Sequence, residues 1–217
     1  MRKNKISHNV ILRLPRYLRY LEELRSKDIV RISSGELGRL MGITASQIRQ
    51  DLSCFGEFGQ QGYGYNVEML FGEVSEILGI RRERRAIVIG AGNLGRAIIG
   101  KFPFHQYGFR LVAAYDVAHE IIGTEMASLT IRHTDNLTAD LQDSPPDIAV
   151  LTMSGEDART IATQLADAGV RGIWNFTNQD LPNLGADVVV ENLHFSDSLL
   201  TLSYYMTHPK GNELEKS

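Results

Sequence analysis

Ala86-Ile87-Val88-Ile89-Gly90-Ala91-Gly92-Asn93-Leu94-Gly95 is a short apolar run that breaks into a glycine turn spaced GxGxxG. An uninterrupted apolar run of this kind reads as a parallel strand covered on both faces. The turn then sits where its physics requires, after a strand and opening a helix. The first glycine allows the tight turn, the second lets backbone approach a pyrophosphate, and the third lets helix and strand pack closely. Free N–H groups and the positive dipole end of the helix would face the phosphates. Asp116 closes a second apolar run, Leu111-Val112-Ala113-Ala114-Tyr115, about 20 residues further on, where a carboxylate accepts hydrogen bonds from an adenine ribose. It would also repel a 2′-phosphate, and Val117-Ala118-His119 supplies no Arg or Lys to receive one. The expected ligand is therefore NAD+/NADH, held by Gly90, Ala91, Gly92, Asn93, Leu94, Gly95 and Asp116, against the plainer reading of an ordinary βαβ turn.

Toward the C-terminus the same grammar continues. Ile148-Ala149-Val150-Leu151, Gly172-Ile173-Trp174-Asn175-Phe176 and residues 187–191 read as further strands, with helices over 94–99 and 157–168. The expectation for 86–195 is an α/β domain of the doubly wound parallel-sheet (Rossmann) class. A last, largely apolar helix spans 196–206 within a terminal segment taken to 208. Catalysis would need a positioned acid or base beside the nicotinamide. Lys101, His105, His133, His194 and His208 are available, but no spacing ties any pair together. Little chain remains for a substrate domain, so the cofactor itself reads as the sensed ligand and the chain as no enzyme. An NAD-dependent dehydrogenase with an N-terminal oligomerisation domain stays open as the alternative.

Toward the N-terminus the polar run Arg81-Arg82-Glu83-Arg84-Arg85 marks a boundary, and residues 1–80 read as a separate, mostly helical domain. Ile11, Leu14, Leu18, Leu21 and Leu24 recur at helical spacing, with Pro15 expected to kink that helix or mark a new start. Ser33-Ser34-Gly35-Glu36 and Thr44-Ala45-Ser46-Gln47 carry capping-box patterns, and Gly42 separates the helices they open. Two short helices joined by such a turn form a helix-turn-helix, whose second helix would enter a DNA major groove. Ser46, Gln47, Arg49, Gln50 and Ser53 lie off its apolar stripe and are side chains able to read base edges or hold phosphate; a solvated helix face is the other reading. Cys54, between Leu52 and Phe55, is expected to be a small packing residue. Residues 56–65 alternate glycines with aromatics and read as a hairpin, which after a helix-turn-helix is a wing presenting Gln60, Gln61 and Tyr63. Its glutamines would make neutral, weaker phosphate contacts. Asn66 caps a closing helix that ends at Gly79.

Composition agrees with two folded domains: the chain has 217 residues, 43% hydrophobic and 23% charged. No apolar run approaches the ~18 residues of a membrane span, and no signal-peptide pattern follows the basic start, so the expected compartment is the cytoplasm. One cysteine excludes an internal disulfide framework. The net charge of −3 is divided unevenly. Residues 1–85 hold 15 Lys/Arg against 10 Asp/Glu, or +5, and residues 86–217 hold 8 against 16, or −8. The first part suits a polyanion and the second does not.

Arg16-Tyr17-Leu18-Arg19-Tyr20-Leu21, Ser46-Gln47-Ile48-Arg49-Gln50-Asp51-Leu52-Ser53, Phe55-Gly56 and Gly62-Tyr63-Gly64-Tyr65-Asn66-Val67 resemble the Rex family of redox-sensing repressors. So do residues 90–95, Ile173-Trp174-Asn175-Phe176 and Glu191-Asn192. The resemblance covers roughly residues 5–206 and implies a homodimer in which a winged helix binds double-stranded operator DNA and a Rossmann domain binds NAD(H). It also implies that the C-terminal helix is swapped between protomers, that NADH favours a form unable to bind DNA, and that NAD+ permits binding. By the same resemblance Arg19 is a coupling residue, while Lys101, Phe102 and His194 occupy sensing positions near the nicotinamide. The chain departs from the family there: Lys101-Phe102 stands where relatives place a Tyr, and His194 where some have an acidic residue. Thr177-Asn178 and Met153-Ser154 likewise replace Ala-Pro and Val-Pro.

Overall fold

The computed structural model describes residues 6–56, 58–60, 63–142, 144–155 and 157–208. The chain forms two compact units, Met1–Arg82 and Glu83–Ser217. In the first, helix α1 (His8–Ser26) is capped by Ser7 and buries Val10, Leu14, Tyr17, Leu18, Leu21 and Leu24 along one stripe. Helix α2 (Ser34–Met41) has both bonds of its capping box, Glu36 N–H to Ser33 Oγ at 3.1 Å and Ser33 N–H to Glu36 Oε2 at 3.0 Å. It stops at Gly42 in the left-handed region. Helix α3 (Ala45–Ser53) is capped by Thr44. Strands β1 (Arg31–Ile32), β2 (Gly59–Gln60) and β3 (Gly64–Asn66) form an antiparallel sheet in the order β1-β3-β2. Helix α4 (Val67–Leu78), capped by Asn66, closes the unit. Leu14, Tyr17, Leu21, Leu37, Ile48, Leu52, Leu70 and Val74 meet in a single core. The result is a helix-turn-helix followed by a β wing.

The second unit is built on strands β4 (Arg84–Ile89), β5 (Phe109–Asp116), β6 (Glu125–Met126), β7 (Leu129–His133), β8 (Ile148–Leu151), β9 (Gly172–Asn175) and β10 (Val189–Asn192). Its helices are α5 (Asn93–Lys101), α6 (Leu137–Leu141), α7 (Ala158–Asp167) and α8 (Phe195–Thr207). The strand order is β10-β9-β8-β4-β5-β7-β6, parallel throughout except for β6, which pairs antiparallel with β7. The six parallel strands follow the doubly wound order, which reverses direction between β4 and β8. Apolar clusters cover both faces: Ile87, Ile89, Leu151 and Leu165 on one, Val88, Ile98, Ile99 and Val150 on the other. No residue of α8 is buried, and Phe195, Leu199, Leu200 and Met206 are each more than 60% exposed.

Three expectations change. Helix α1 continues through Pro15 with no new start. Leu14 on one side of the proline and Tyr17 and Leu18 on the other are packed into the same core, and that burial outweighs the roughly 3 kcal/mol a mid-helix proline costs. Cys54 is exposed, not packed: it follows α3, its thiol directed at the Gln50 carbonyl at 3.4 Å while Leu52 takes the core position. The second capping-box pattern is only half realised. Thr44 accepts the Gln47 N–H at 3.1 Å, but the Gln47 side chain turns toward Asp51.

Candidate functional site

The glycine turn lies at the C-terminal end of β4, beside the point where the strand order reverses, which is where open α/β sheets bind ligands. Each glycine has its own reason. Gly90 has φ +101°, and a Cβ there would meet the Met153 nitrogen at 2.6 Å. A Cβ on Gly95 would meet the Gly90 carbonyl oxygen at 1.9 Å, so helix and strand could not approach. A Cβ on Gly92 would meet nothing within 4 Å, so the protein leaves open space at the helix entrance. Helix α5 starts there without a side-chain cap, as do α6, α7 and α8, but it alone of these opens from the glycine turn, and its first N–H groups are available to an anion. A dinucleotide pyrophosphate fits this cradle.

Asp116 is tied to the turn. Its Oδ2 accepts the Ala91 N–H, and its Oδ1 accepts the N–H groups of Val117 and Ala118 at 2.7 and 2.9 Å. The carboxylate thus stands beside the glycine turn, with acceptor capacity left on Oδ2 for a sugar hydroxyl. Sequence reasoning missed Thr152, whose hydroxyl donates to the Gly90 carbonyl at 2.7 Å and whose N–H donates to Ile89 O at 2.9 Å. The only signal for it was its place directly after the apolar run of β8.

The sensing positions are not all gathered here. Lys101 is the exposed last residue of α5, about 13 Å of helix away from the glycine turn at its other end. Phe102 packs with Phe104, Tyr107 and Trp174 at centroid separations of 5.0, 5.5 and 5.2 Å, beside the starts of β8 and β10. The structure therefore does not bring Lys101 and Phe102 to the glycine turn of their own chain. His194 stands past the end of β10, at the same edge of the sheet as the turn, and its Nε2 lies 2.8 Å from Asp180 Oδ1. That hydrogen bond, reinforced by the charges of Asp180 and Asp197, holds the imidazole above its ordinary range.

In the first unit, Ser46, Gln50 and Ser53 are exposed along α3, as is Arg49, which donates to Ser34 Oγ at 3.0 Å. Gln47 is half-buried, and its amide donates to Asp51 Oδ1 at 2.7 Å instead of standing free. Tyr63 on the wing is exposed, with the Arg31 guanidinium 6.0 Å from its ring centre. Of Gln60 only the backbone, in β2, is described, and Gln61 lies outside the described residues. Arg19 is exposed on α1, its guanidinium 5.7 Å from the ring centre of Tyr20.

Asp51 was not anticipated. It is 1% exposed and accepts Arg13 Nε and Nη2 at 2.6 and 2.7 Å, the Tyr17 hydroxyl at 3.0 Å and the Gln47 amide at 2.7 Å. Burial pushes its carboxyl up, but these hydrogen bonds and the Arg13 charge outweigh burial and hold it below the usual carboxylate range. Tyr17 is driven up in turn by its own burial and the Asp51 charge. The cluster fixes α3 on α1, so the exposed face of α3 is presented by a locked scaffold. Among the described residues no group of three His, Cys, Asp or Glu could hold a metal ion, and no helix is long and apolar enough to cross a membrane.

Comparison with known proteins accords with this division. A family described as "Putative DNA-binding protein N-terminus" matches residues 5–53, and one described as "CoA binding domain" matches residues 81–179. The redox-sensing transcriptional repressor Rex of Clostridium botulinum (strain Eklund 17B / Type B) is 47% identical over 207 residues, 95% of this chain and 98% of its own. The crystal structure of RSP in complex with β-NAD+ and operator DNA has a TM-score of 0.88 at 44% identity, covering 97% of each chain. That of RSP in complex with β-NADH has a TM-score of 0.87 at 40% identity, covering 98% of this chain and 100% of the other. The chain belongs to the Rex family of redox-sensing transcriptional repressors.

Proposed function

We propose that this chain is a transcriptional repressor that binds operator DNA through its first unit and is released when NADH occupies its second, so that it reports the NADH/NAD+ ratio. The observation that carries this reading is the uncapped, open entrance of α5 beside Asp116, in a chain that also presents a winged helix. The N–H groups of residues 92–95 would hold the pyrophosphate, and Asp116, which already takes the Ala91 N–H, the adenine ribose. A carboxylate at the ribose opposes the 2′-phosphate of NADP(H) and the ribose phosphate of coenzyme A alike, which favours NAD(H) despite the description of the second matching family. The exposed side chains of α3 would enter the major groove, with Ser46, Arg49, Gln50 and Ser53 facing bases or phosphates and Gln47 held back by Asp51. On the wing, Gln60, Gln61 and Tyr63 would touch the backbone without adding charge.

The chain acts as a homodimer in the cytoplasm. Its exposed apolar α8 is the element a partner copy would cover. Coupling is a population shift: NADH binds the DNA-incompetent form more tightly, and by linkage DNA disfavours NADH to the same degree. A coupling on the order of 1–3 kcal/mol corresponds to about five- to 150-fold in operator affinity. Arg19 and His194 are the proposed coupling and sensing residues. On this reading the chain turns over no substrate; of the five acid–base candidates, Lys101 and His194 stand at opposite ends of the parallel strands. Fluorescence anisotropy with a labelled operator duplex tests the reading. NADH should weaken binding at least fivefold and NAD+ should not; equal operator affinity with and without NADH would refute it.

A further inference from the structure

At the ends of β9 and β10 the second unit carries a closed circuit of polar contacts. The two strands finish in register with an asparagine each, Asn175 beside Asn192. Asn175 is fully buried, and both ends of its amide are fully used. Its Nδ2 donates to Asn192 Oδ1 at 2.7 Å and to the Gln179 carbonyl at 2.8 Å, while its Oδ1 accepts the Thr177 N–H at 3.0 Å and the Thr177 hydroxyl at 2.7 Å. Asn192 Oδ1 also accepts the Leu181 N–H at 3.1 Å, and its Nδ2 donates to the Leu181 carbonyl at 3.4 Å. The two asparagines thus grip residues 179 and 181, on either side of Asp180. Asp180 in turn holds His194, two residues past Asn192, where α8 begins. On its other side the same segment lies close against Gly155, in the turn after β8: a Cβ there would clash with Asn178 Oδ1 and meet Gln179 Cγ at 2.9 Å.

We propose that Asn175 and Asn192 are positioning residues of the redox switch: by gripping both sides of Asp180 they set the Asp180–His194 pair at the start of α8, and NADH-linked release of operator depends on them. The inference rests on the proposed NADH-responsive reading and names the residues that place its sensing histidine. The Asp180 side chain is 77% exposed, and an ion pair so open to water does little to order a loop. Residues 176–188, between β9 and β10, have no helix or strand to order them either. A buried amide whose donors and acceptors are all met admits one arrangement of its partners, because any other leaves a buried polar group unpaired. The aromatic contact beside it acts in the same direction: Phe176, next to Asn175, lies 6.1 Å centroid to centroid from Phe195, the first residue of α8.

The test compares the full chain with Asn192→Ala and Asn192→Asp by two readouts: NMR titration of the His194 ring, and operator anisotropy with and without saturating NADH. In Asn192→Ala the segment loses its grip, so the raised His194 pKa should fall toward the ordinary histidine range. The factor by which NADH weakens operator binding, at least about fivefold in the wild type, should drop toward unity. Asn192→Asp keeps the oxygen that accepts both N–H groups and should retain the wild-type NADH response, with the His194 pKa no lower than in the wild type. Thr177→Val keeps its shape, loses the hydroxyl bonds to Asn175 and Gln179, and should move both readouts in the direction of Asn192→Ala; it replaces that variant if the alanine does not fold. A substitution that only loosened the fold would lower stability and leave the His194 titration where it was. Either readout unmoved in Asn192→Ala, or in Thr177→Val where it stands in, overturns the inference, as does an Asn192→Asp that behaves like the alanine. A wild type indifferent to NADH would refute the sensing reading itself, and this inference with it, before any variant is compared.

Discussion

Replacing Asp51 by alanine should loosen the recognition helix without touching its exposed face. The substitution removes a carboxylate that receives four hydrogen bonds and strands their donors: the Tyr17 hydroxyl on a side chain with no exposure, and an Arg13 guanidinium whose side chain is 22% exposed. Removing one partner of a fully buried pair costs about 3–5 kcal/mol; because Arg13 can partly rehydrate, about 3 kcal/mol is the expected loss. That is a large part of the 5–15 kcal/mol typical of a domain, ~ the range in which α3 would begin to unfold locally. Trp174, the single tryptophan, lies in the second unit, so its fluorescence is blind to this change. Far-UV circular dichroism in urea and amide exchange at α3 are the assays. Asp51→Asn keeps the shape and loses the charge, and should cost less. The pH dependence follows from sign. The folded carboxyl sits below its unfolded value of about 3.9, so its contribution is present above that value and is lost as pH falls through the folded pKa. Asp51→Asn should therefore flatten the acid limb of the stability curve. A loss under about 1 kcal/mol in Asp51→Ala, with wild-type operator affinity, would show that the cluster does not hold α3.

Gly92→Ala meets open space and should leave the unliganded protein as stable as the wild type, while NADH affinity in titration falls about tenfold or more as the methyl enters the phosphate cradle. Gly95→Ala should instead destabilise the second unit in thermal melts, since its Cβ would lie 1.9 Å from the Gly90 oxygen. Arg49→Ala should cost ~1–3 kcal/mol of specific operator binding if the side chain reads a base; Ser34→Ala, which only frees that arginine, is the control in the same gel-shift series. His194 is held up by Asp180, so their pair is formed at pH below the unfolded histidine value and fades as pH rises through the folded one; Asp180→Asn should lower the His194 pKa in an NMR titration.

What could be read in advance had local causes. The Ser33–Glu36 box, the Gly42 stop and the glycine turn are each decided by residues within a few positions of one another. The missed features depend on distance or on turns without a signal. Strand β1 is two residues long and exists only because β3 pairs with it. The β6–β7 hairpin turns on Ala127 and Ser128, which both take positive φ (48° and 63°) without the glycine or asparagine that announces such a turn. Asp51 reads as one more charge on a helix, since the partners that bury it are 34 and 38 residues away in Tyr17 and Arg13. Phe102 was placed by resemblance near the nicotinamide; the nine-residue length of α5 sets it at the opposite end from the turn, in an aromatic cluster.

That separation bears on how such a molecule can sense redox state. NAD+ and NADH share adenosine and pyrophosphate, so the glycine turn and Asp116 bind the two alike. Contacts made equally with two ligands cannot tell them apart, however tightly they bind. The close backbone contacts at Gly90 and Gly95 can therefore supply affinity but not the switch. Discrimination has to arise where the ligands differ, at a nicotinamide ring that is cationic and planar in one and neutral in the other. Within one chain the edge of the sheet that bears the glycine turn also bears His194, joined to Asp180 and set at the start of the unburied α8. On the role proposed for His194, a charge change there would act on α8, which has no buried residue in its own chain, and the differential affinity at that ring sets how far the dimer moves between its two forms.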